Sequence, residues 1–185
     1  MRATEYVILV DEQDRELGSA EKLQAHREGL LHRAFSVLIF RQEAQLEVLL
    51  QQRAASKYHS PNLWTNACCS HPRPGEAILE AATRRLEEEL GLNLALRQVG
   101  QFQYRAEFPN GLTENELDHV LVGQYQNEPI TPNPEEIQAY QWLAVADLRQ
   151  NLEQQPEKYT PWLKKALVLA CAWGSASHDG LLSQG

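Results

Sequence analysis

Residues 62–91 read NLWTNACCSHPRPGEAILEAATRRLEEELG, and this stretch decides the fold and gathers many of the chemically active side chains. Its second half predicts an amphipathic helix over residues 76–90, because apolar residues recur at spacings of three and four. The predicted buried stripe consists of Leu79, Ala82, Leu86 and Leu90. Gly91 is a typical helix stop. Arg85 and Glu89 lie at the border of the stripe, where an i, i+4 ion pair is the ordinary interpretation.

The length and composition indicate a soluble globular protein. A chain of 185 residues is long enough to bury a substantial core in one domain. The net charge of −8 argues against nucleic acid and anionic membranes as partners, because both are polyanions. No run of apolar residues predicts a transmembrane helix, and no segment resembles a signal peptide. With three cysteines and no apolar patch signal, we expect a cytoplasmic monomer without disulfides.

Strand-like and helix-like segments predict one mixed sheet with helices on its faces, an α/β (α+β) fold. Predicted strands cover residues 5–10, 32–41, 46–53, 99–108, 114–126 and 138–143. Predicted helices cover residues 20–28, 76–90, 145–154 and 160–173. Residues 1–173 are expected to form a single domain, since no repeat, linker or second core is present. Residues 174–185 are expected to be a mobile C-terminal tail.

Histidines and carboxylates near predicted element ends suggest a metal site. The histidines are His26, His32 and His71, whereas His59, His119 and His178 are interpreted as ordinary surface or core residues. Glu114 and Glu116 lie two apart at a strand start and so face the same side. Asp118 continues the alternation, so a solvated strand face is the ordinary explanation. Three imidazoles and two carboxylates would suit an octahedral site for Mn²⁺, Mg²⁺ or Zn²⁺, but their scattered spacing leaves both interpretations open.

The remaining candidates have ordinary explanations when each is taken alone. Cys69 precedes His71 by two residues, and a free cysteine is usually an inert buried residue. Trp64, Tyr104 and Trp162 are core aromatic residues by default. Scattered cations in an acidic chain are mostly surface charges, but converging ones would form a diphosphate clamp. The candidates for that clamp are Lys22, Arg53, Lys57 and Arg85.

Read back from Gly91, the central stretch resembles the Nudix box, G-x5-E-x7-R-E-U-x-E-E-x-G-U, where U is apolar. The matching positions are Glu76, Arg84, Leu86, Glu88, Glu89, Gly91 and Leu92. The box helix offers carboxylate oxygens to Mg²⁺, which bridges to a substrate diphosphate. Ser70 replaces the first Gly, and Arg85 replaces the Glu of R-E, where a guanidinium cannot ligate a cation. The pattern therefore predicts a Nudix scaffold whose hydrolytic chemistry is disabled.

Three further motifs resemble those of the type 1 isopentenyl-diphosphate isomerases, a Nudix-fold family whose box no longer serves hydrolysis. They are W-T-N-A-C-C-S-H-P at 64–72, Y-R at 104–105 and E-N-E at 114–116. The similarity runs from residue 4 to residue 172. The resemblance implies an isomerase of isoprenoid biosynthesis, which interconverts isopentenyl and dimethylallyl diphosphate by a 1,3-proton shift through a carbocation. The partner would be a small homoallylic or allylic diphosphate.

The resemblance also implies roles for individual residues. The catalytic group would comprise Cys69 and Glu116 as acid and base, Tyr104 hydrogen-bonded to Glu116, and Trp162 facing the carbocation. One Mn²⁺, Mg²⁺ or Zn²⁺ would be held by His26, His32, His71, Glu114 and Glu116. Glu89 would ligate a second ion, a Mg²⁺ bound to the diphosphate. The cationic partners of that diphosphate would be Lys22, Arg53, Lys57 and Arg85.

Two other functions compete with the isomerase. A Nudix pyrophosphohydrolase would need the carboxylate that Arg85 displaces. A non-catalytic Nudix-like module that binds a diphosphate would have no use for an opposed acid–base pair. That hypothesis is favoured only if Cys69 or Glu116 proves dispensable.

Overall fold

The computed structural model describes residues 4–181, and the side chains as far as residue 172. The strands are β1 (Tyr6–Val10), β2 (Glu16–Glu21), β3 (His32–Gln42), β4 (Leu46–Arg53), β5 (Trp64–Asn66), β6 (Cys68–Ser70), β7 (Leu96–Glu107), β8 (Thr113–Gln124) and β9 (Ile137–Ala144). The helices are α1 (Lys22–Glu28), α2 (Ile78–Leu90), α3 (Val145–Gln154) and α4 (Leu163–Leu181), with a 3-10 turn at Pro156–Lys158.

The sheet is mixed and centres on β3, which confirms the predicted fold class. β3 pairs with β8 in parallel and with β4 and β6 antiparallel. β7 extends the sheet beyond β8, and β9 extends it beyond β4. The strands predicted at residues 32–41 and 46–53 are β3 and β4, and they pair as a hairpin. The parallel register of β3 and β8 sets His32 opposite Glu116, so the starts of two strands meet at one end of the sheet.

Helices cover both faces of the sheet. α2 packs Ala82, Leu86 and Leu90 against one face, where it meets Val37 and Ile39 of β3. The other face carries alternate residues of the same strands, and α3 and α4 cover it. Its contacts include Leu38, Val48, Leu50, Leu148, Leu163 and Leu167. This alternation follows from the period of two along a strand, and it gives the molecule two apolar layers around one sheet.

The helix α2 differs from its prediction in its buried face. Leu79 is 49% exposed, so its assignment to the buried stripe is wrong, and Ala81 and Glu89 are buried instead. The helix begins at Ile78, not at residue 76, so Leu79 lies in its exposed first turn, while Ala82, Leu86 and Leu90 are buried as predicted. Gly91, at a φ of 67°, ends the helix as predicted.

Other elements also differ from the sequence predictions. No strand was predicted between residues 10 and 20, but β2 begins at Glu16 and forms a hairpin with β1. The short strands β5 and β6 were also not predicted. The helix α4 continues to Leu181, beyond residue 173, while residues 182–185 lie outside the described part, so the mobility of the tail stays a prediction. Among the described residues, no helix combines the length and hydropathy needed to cross a membrane.

Candidate active site

A cleft of about 520 Å³, which includes space open to solvent, lies at the end of the sheet where β3 and β8 begin. The predicted site residues that line it are Lys22, Arg53, Lys57, Cys69, His71, Arg85, Glu114, Glu116 and Trp162. Residues that the sequence analysis did not select also line it, among them Ser36, Tyr58, His59 and Asp118. The fold therefore brings most of the scattered candidates into one cavity.

Glu116 is the centre of a buried group of histidines. The Nε2 atom of His71 lies 2.8 Å from Oε1 of Glu116, and Nε2 of His32 lies 3.5 Å from the same oxygen. The Nε2 atom of His26 lies 3.9 Å from Oε1 of Glu114. Glu114, Glu116 and Asp118 are all buried, so the interpretation of this strand face as solvated is wrong.

Backbone carbonyls determine which nitrogen of two histidines faces the cluster. Nδ1 of His26 lies 2.6 Å from the Lys22 carbonyl oxygen, and Nδ1 of His32 lies 2.8 Å from that of Leu30. A carbonyl only accepts, so each Nδ1 carries the hydrogen and, in the neutral ring, each Nε2 keeps a lone pair. Both Nε2 atoms are buried without a hydrogen-bond partner among the described residues.

The donor set fits a divalent cation. Ligating histidines usually donate their second N–H to a carbonyl or carboxylate, as His26 and His32 do here. The ligand atoms of His26, His32, His71 and Glu116 all lie within 4.8 Å of one another. Burial lowers the pKa of His26 to about 4 and that of His71 to about 3, so both rings are neutral and available as ligands at pH 7.

The two carboxyl groups of the cluster differ in ionisation. Burial favours the neutral form of Glu116, but the hydrogen bond with His71 and the nearby imidazole of His32 prevail and hold its pKa well below the usual range. Burial and the nearby Glu116 raise the pKa of Glu114. Like charges this close do not both ionise easily without a cation, and a bound divalent ion would relieve that conflict.

Cys69 is held by a set of fixed hydrogen bonds beside this cluster. Its thiol donates to Oδ1 of Asn66 at 3.1 Å and accepts from Nε1 of Trp162 at 3.0 Å. Asn66 is itself oriented by its donation to the carbonyls of Val37 and Cys68. Burial, with a contribution from the Asp118 carboxylate, raises the pKa of Cys69 to about 12, so the thiol is protonated at pH 7.

Tyr104 does not have the hydrogen bond that was expected. It is the cross-strand neighbour of Glu116, but its buried hydroxyl has no hydrogen-bond partner among the described residues. Glu116 is occupied by His71, so the expected bond from Tyr104 is wrong for this structure. The Tyr104 ring instead meets that of Trp162 edge-on, with centroids 5.9 Å apart.

The four predicted cations converge, but each already has a partner. Lys22 pairs with Glu5 at 2.6 Å, and Lys57 pairs with Glu136. Arg53 is buried and donates to the carbonyl oxygens of the 59–60 segment. The expected pair of Arg85 and Glu89 is present, with Nη2 and Oε1 2.6 Å apart. Glu89 is buried behind this pair and also accepts from Nε2 of Gln51 at 2.9 Å.

His59 is the clearest site residue that the sequence analysis missed. It was assigned to the ordinary surface or core histidines, but its Nε2 lies 2.8 Å from Oε1 of Glu114. It follows Lys57 by two residues in a loop, and no periodic pattern there indicated which way its side chain points. His119 lies outside the cluster, 3.2 Å from Asp14. The side chain of His178 lies outside the described part.

The comparisons with known proteins agree with this fold and cleft. Residues 30–163 match the NUDIX domain. The DR0079 protein of Deinococcus radiodurans has the same fold, with a TM-score of 0.72 at 22% identity, covering 88% of this chain and 97% of that one. The Isopentenyl-diphosphate Delta-isomerase of Photobacterium profundum is 51% identical over 166 residues, which are 88% of this chain and 92% of the relative. Isopentenyl-diphosphate Delta-isomerase 1 of Aromatoleum aromaticum is 49% identical, over 89% and 93%.

The sheet, the α2 box and the cleft define a protein of the Nudix fold. Within that class, the chain belongs to the isopentenyl-diphosphate Delta-isomerase family.

Proposed function

We propose that this protein interconverts isopentenyl diphosphate and dimethylallyl diphosphate by a 1,3-proton shift. One observation carries the proposal: Cys69, Glu116 and Trp162 line the same cleft as four cationic side chains. A cleft of this kind offers an acid, a base and an aromatic face at one end of a small molecule and an anion clamp at the other.

Cys69 and Glu116 are the proposed acid and base. The shift requires one group to give a proton to one carbon of the allylic unit and a second group to take a proton from another. The thiol is protonated at pH 7, and the carboxyl is held in its ionised form, so the two groups differ by one proton before substrate arrives. After a turnover in either direction their protonation states are exchanged, and reversing the reaction or exchanging protons with water restores them.

Trp162 is proposed to stabilise the intermediate carbocation. Its ring is 3% exposed, and its Nε1–H is committed to Cys69 and to Oδ1 of Asn66, which fixes the orientation of the ring. The face of a desolvated tryptophan stabilises a cation by ~2 kcal/mol or more. Burial also keeps water from the cleft wall at this point, and water would quench the cation.

The proposed ligands of one divalent ion are His26, His32, His71, Glu114 and Glu116. With an ion bound, its positive charge would let both carboxylates ionise together in a buried site. His32 and His26 hold their ligand nitrogens in place through the carbonyls of Leu30 and Lys22. The imidazole and carboxylate donors suit Mn²⁺, Mg²⁺ or Zn²⁺.

The proposed diphosphate clamp comprises Lys22, Arg53, Lys57 and Arg85. Lys57 and Arg85 both pair with Glu136, which occupies them before the anion binds. A diphosphate carries more charge than a single carboxylate, so it can take over both cations. Glu89 lies directly behind Arg85 and is the proposed ligand of the Mg²⁺ that accompanies the diphosphate.

The test is NMR spectroscopy of isopentenyl diphosphate with metal-loaded protein in D₂O. Deuterium-labelled dimethylallyl diphosphate is the expected product, because the transferred proton comes from groups that exchange with solvent. Release of phosphate or of the monophosphate would instead indicate a hydrolase. If neither product forms with metal-replete protein, the diphosphate-binding module is the remaining function.

Two variants test the proposed acid and base. We expect Cys69→Ala and Glu116→Gln each to abolish isomerisation while the circular dichroism spectrum stays that of the parent. Cys171→Ala is the matched control, because Cys171 lies on α4 and not among the residues that line the cleft. Near-parental turnover in either active-site variant would remove that residue from the mechanism.

A further inference from the structure

His59 occupies a position in the metal cluster that the predicted ligand set does not include. Its side chain is buried, and it reaches the cluster from the loop between β4 and β5. Its Nε2 lies 2.8 Å from Oε1 of Glu114, as close as Nε2 of His71 lies to Oε1 of Glu116. The two histidine–carboxylate pairs are therefore alike in distance, although only His71 was expected to be a ligand.

The oxygen that His59 approaches faces into the cluster. Oε1 of Glu114 is the atom that lies 3.9 Å from Nε2 of His26, and His59 reaches the same atom. The other carboxylate oxygen, Oε2, is buried without a hydrogen-bond partner among the described residues. A residue that merely oriented Glu114 from behind would bond to the oxygen that the other ligands leave free. His59 instead converges on the inner oxygen with the ligands.

The ligand atoms of His26, His59 and Glu114 also lie within 4.8 Å of one another. This group and the group of His32, His71 and Glu116 share His26, but they are two separate groups, because not all of their ligand atoms lie within 4.8 Å of one another. Two atoms bound to the same ion at about 2.1 Å lie no more than about 4.2 Å apart. The contacts of Glu114 with His59 and His26, at 2.8 and 3.9 Å, satisfy that limit, and an ion shared by both groups would draw them together about His26.

We propose that His59 is a sixth protein ligand of the ion for which His26, His32, His71, Glu114 and Glu116 are the other five. This inference rests on the proposed function, since it concerns the same metal centre. An octahedral ion takes six donors, and His59 supplies the one that five monodentate residues leave open. The centre then contains four imidazole nitrogens, which favours Mn²⁺ and Zn²⁺ over Mg²⁺, an ion that prefers oxygen donors.

Ligation by His59 also links the ion to the proposed diphosphate clamp. Lys57 lies two residues earlier in the same loop, and Asn110 holds the loop through the carbonyl oxygen of Tyr58 at 2.9 Å. The imidazole ring of His59 stacks on Phe108, with centroids 5.3 Å apart. Binding of the ion through His59 would therefore anchor the segment that carries Lys57 before the diphosphate arrives.

The experiment counts nitrogens on Mn²⁺ bound to the full chain in the absence of diphosphate. Chelator-stripped protein is titrated with Mn²⁺ in a calorimeter, and electron spin echo envelope modulation counts the coordinated imidazoles. His59→Gln is the decisive variant, because the amide can still donate a hydrogen bond to Glu114 but supplies no imidazole nitrogen. His59→Phe also lacks the imidazole but keeps an aromatic ring against Phe108, so it can be measured if His59→Gln does not fold. Tyr58→Phe is the matched control in the same loop.

We expect both His59 variants to lose one imidazole nitrogen and to bind Mn²⁺ at least ~10-fold more weakly, the lower end of what even an outer hydrogen-bond partner contributes. The Tyr58→Phe control should match the parent in both measurements. An unchanged nitrogen count in His59→Gln would overturn the proposal and leave His59 as a hydrogen-bond partner of Glu114. Two Mn²⁺ ions per chain, of which the variant loses one, would overturn it in favour of a separate site. The nitrogen count and the Mn²⁺ affinity do not depend on turnover. Failure of the ligand proposal can therefore be told apart from failure of the proposed isomerase function.

Discussion

Replacing Arg85 with alanine should destabilise the protein, because Arg85 is the cation on which the carboxylates of the α2 box depend. It pairs with Oε1 of Glu89 at 2.6 Å, with Oε2 of Glu88 at 2.7 Å and with Oε1 of Glu136 at 3.4 Å. The side chain of Glu89 is 5% exposed and that of Arg85 is 19% exposed. The Arg85→Ala variant would leave Glu89 buried beside Glu136 without its cation.

The expected loss follows from the burial of the pair. Removing one partner of a buried ion pair costs ~3–5 kcal/mol, because the other charge stays in a low-dielectric site. Two features place this case at the lower end, ~3 kcal/mol. Gln51 still donates to Glu89, and the carboxyl can take up a proton. For a domain of this size, ~3 kcal/mol corresponds to a fall in Tm of about 6–12 °C.

The pH dependence distinguishes this mechanism from a simple loss of packing. Burial raises the pKa of Glu89, and Arg85 offsets part of that rise. In Arg85→Ala the offset is gone, so the folded-state pKa lies further above the unfolded value. Folded protein then holds a proton that unfolded protein has released at neutral pH, and stability is lost as pH rises. The difference between variant and parent should therefore narrow as pH falls from 7 to 5.

Urea denaturation in chelating buffer, followed by tryptophan fluorescence, measures the free energy of unfolding. Arg15→Ala is the control, because Arg15 pairs with Asp11 at the same 2.6 Å but its side chain is 75% exposed. That exposed pair should contribute no more than ~1 kcal/mol. Adding Glu89→Gln to Arg85→Ala should recover stability by removing the buried charge. A loss in Arg85→Ala no larger than that in Arg15→Ala would refute the electrostatic argument.

Two further outcomes test the architecture around α2. A non-glycine residue in the left-handed conformation of Gly91 costs ~1–2 kcal/mol. Gly91→Ala should lower the free energy of unfolding by more than this, because the added Cβ would lie 1.9 Å from Oγ1 of Thr131. Urea denaturation measures the loss. Hydrogen bonds from Arg84 hold the pKa of Glu76 below its usual range. The stability that this ion pair contributes is therefore present above pH ~4.5 and lost as pH falls through the folded-state pKa. Arg84→Ala should flatten the acid limb of a stability profile, and an unaltered limb would contradict this role.

The fold was predictable from sequence because its signals are local and mutually consistent. The apolar period and Gly91 indicate the helix α2. Two apolar runs around a polar turn indicate the pair of β3 and β4. The short strands β5 and β6 escaped prediction because three residues are too few to show a period. β2 escaped because its residues are almost entirely exposed or half-buried, so no alternation marks it.

The site was predictable only where residues resemble a known motif. Glu114 and Asp118 looked like a solvated strand face, and the structure buries them because α1 and the loop between β4 and β5 cover that end of the sheet. His59 escaped because its role depends on how that loop folds over Glu114, which is a tertiary contact between residues distant in sequence. The absence of a hydrogen bond from Tyr104 to Glu116 is likewise a tertiary effect, because His71 bonds to that carboxylate instead.

Arg85 also gives an electrostatic reason why the box helix can keep its other carboxylates without the glutamate usual at position 85. Three carboxylates, from Glu88, Glu89 and Glu136, converge on this guanidinium, which neutralises part of their charge in the absence of any ion. A glutamate at position 85 would place a fourth carboxylate there, and mutual repulsion would make divalent cations necessary to hold the group together. With arginine, the repulsion is relieved by a side chain that cannot activate water. The same side chain lines the cleft, so the position that a hydrolase uses for a metal ligand becomes part of the proposed anion clamp.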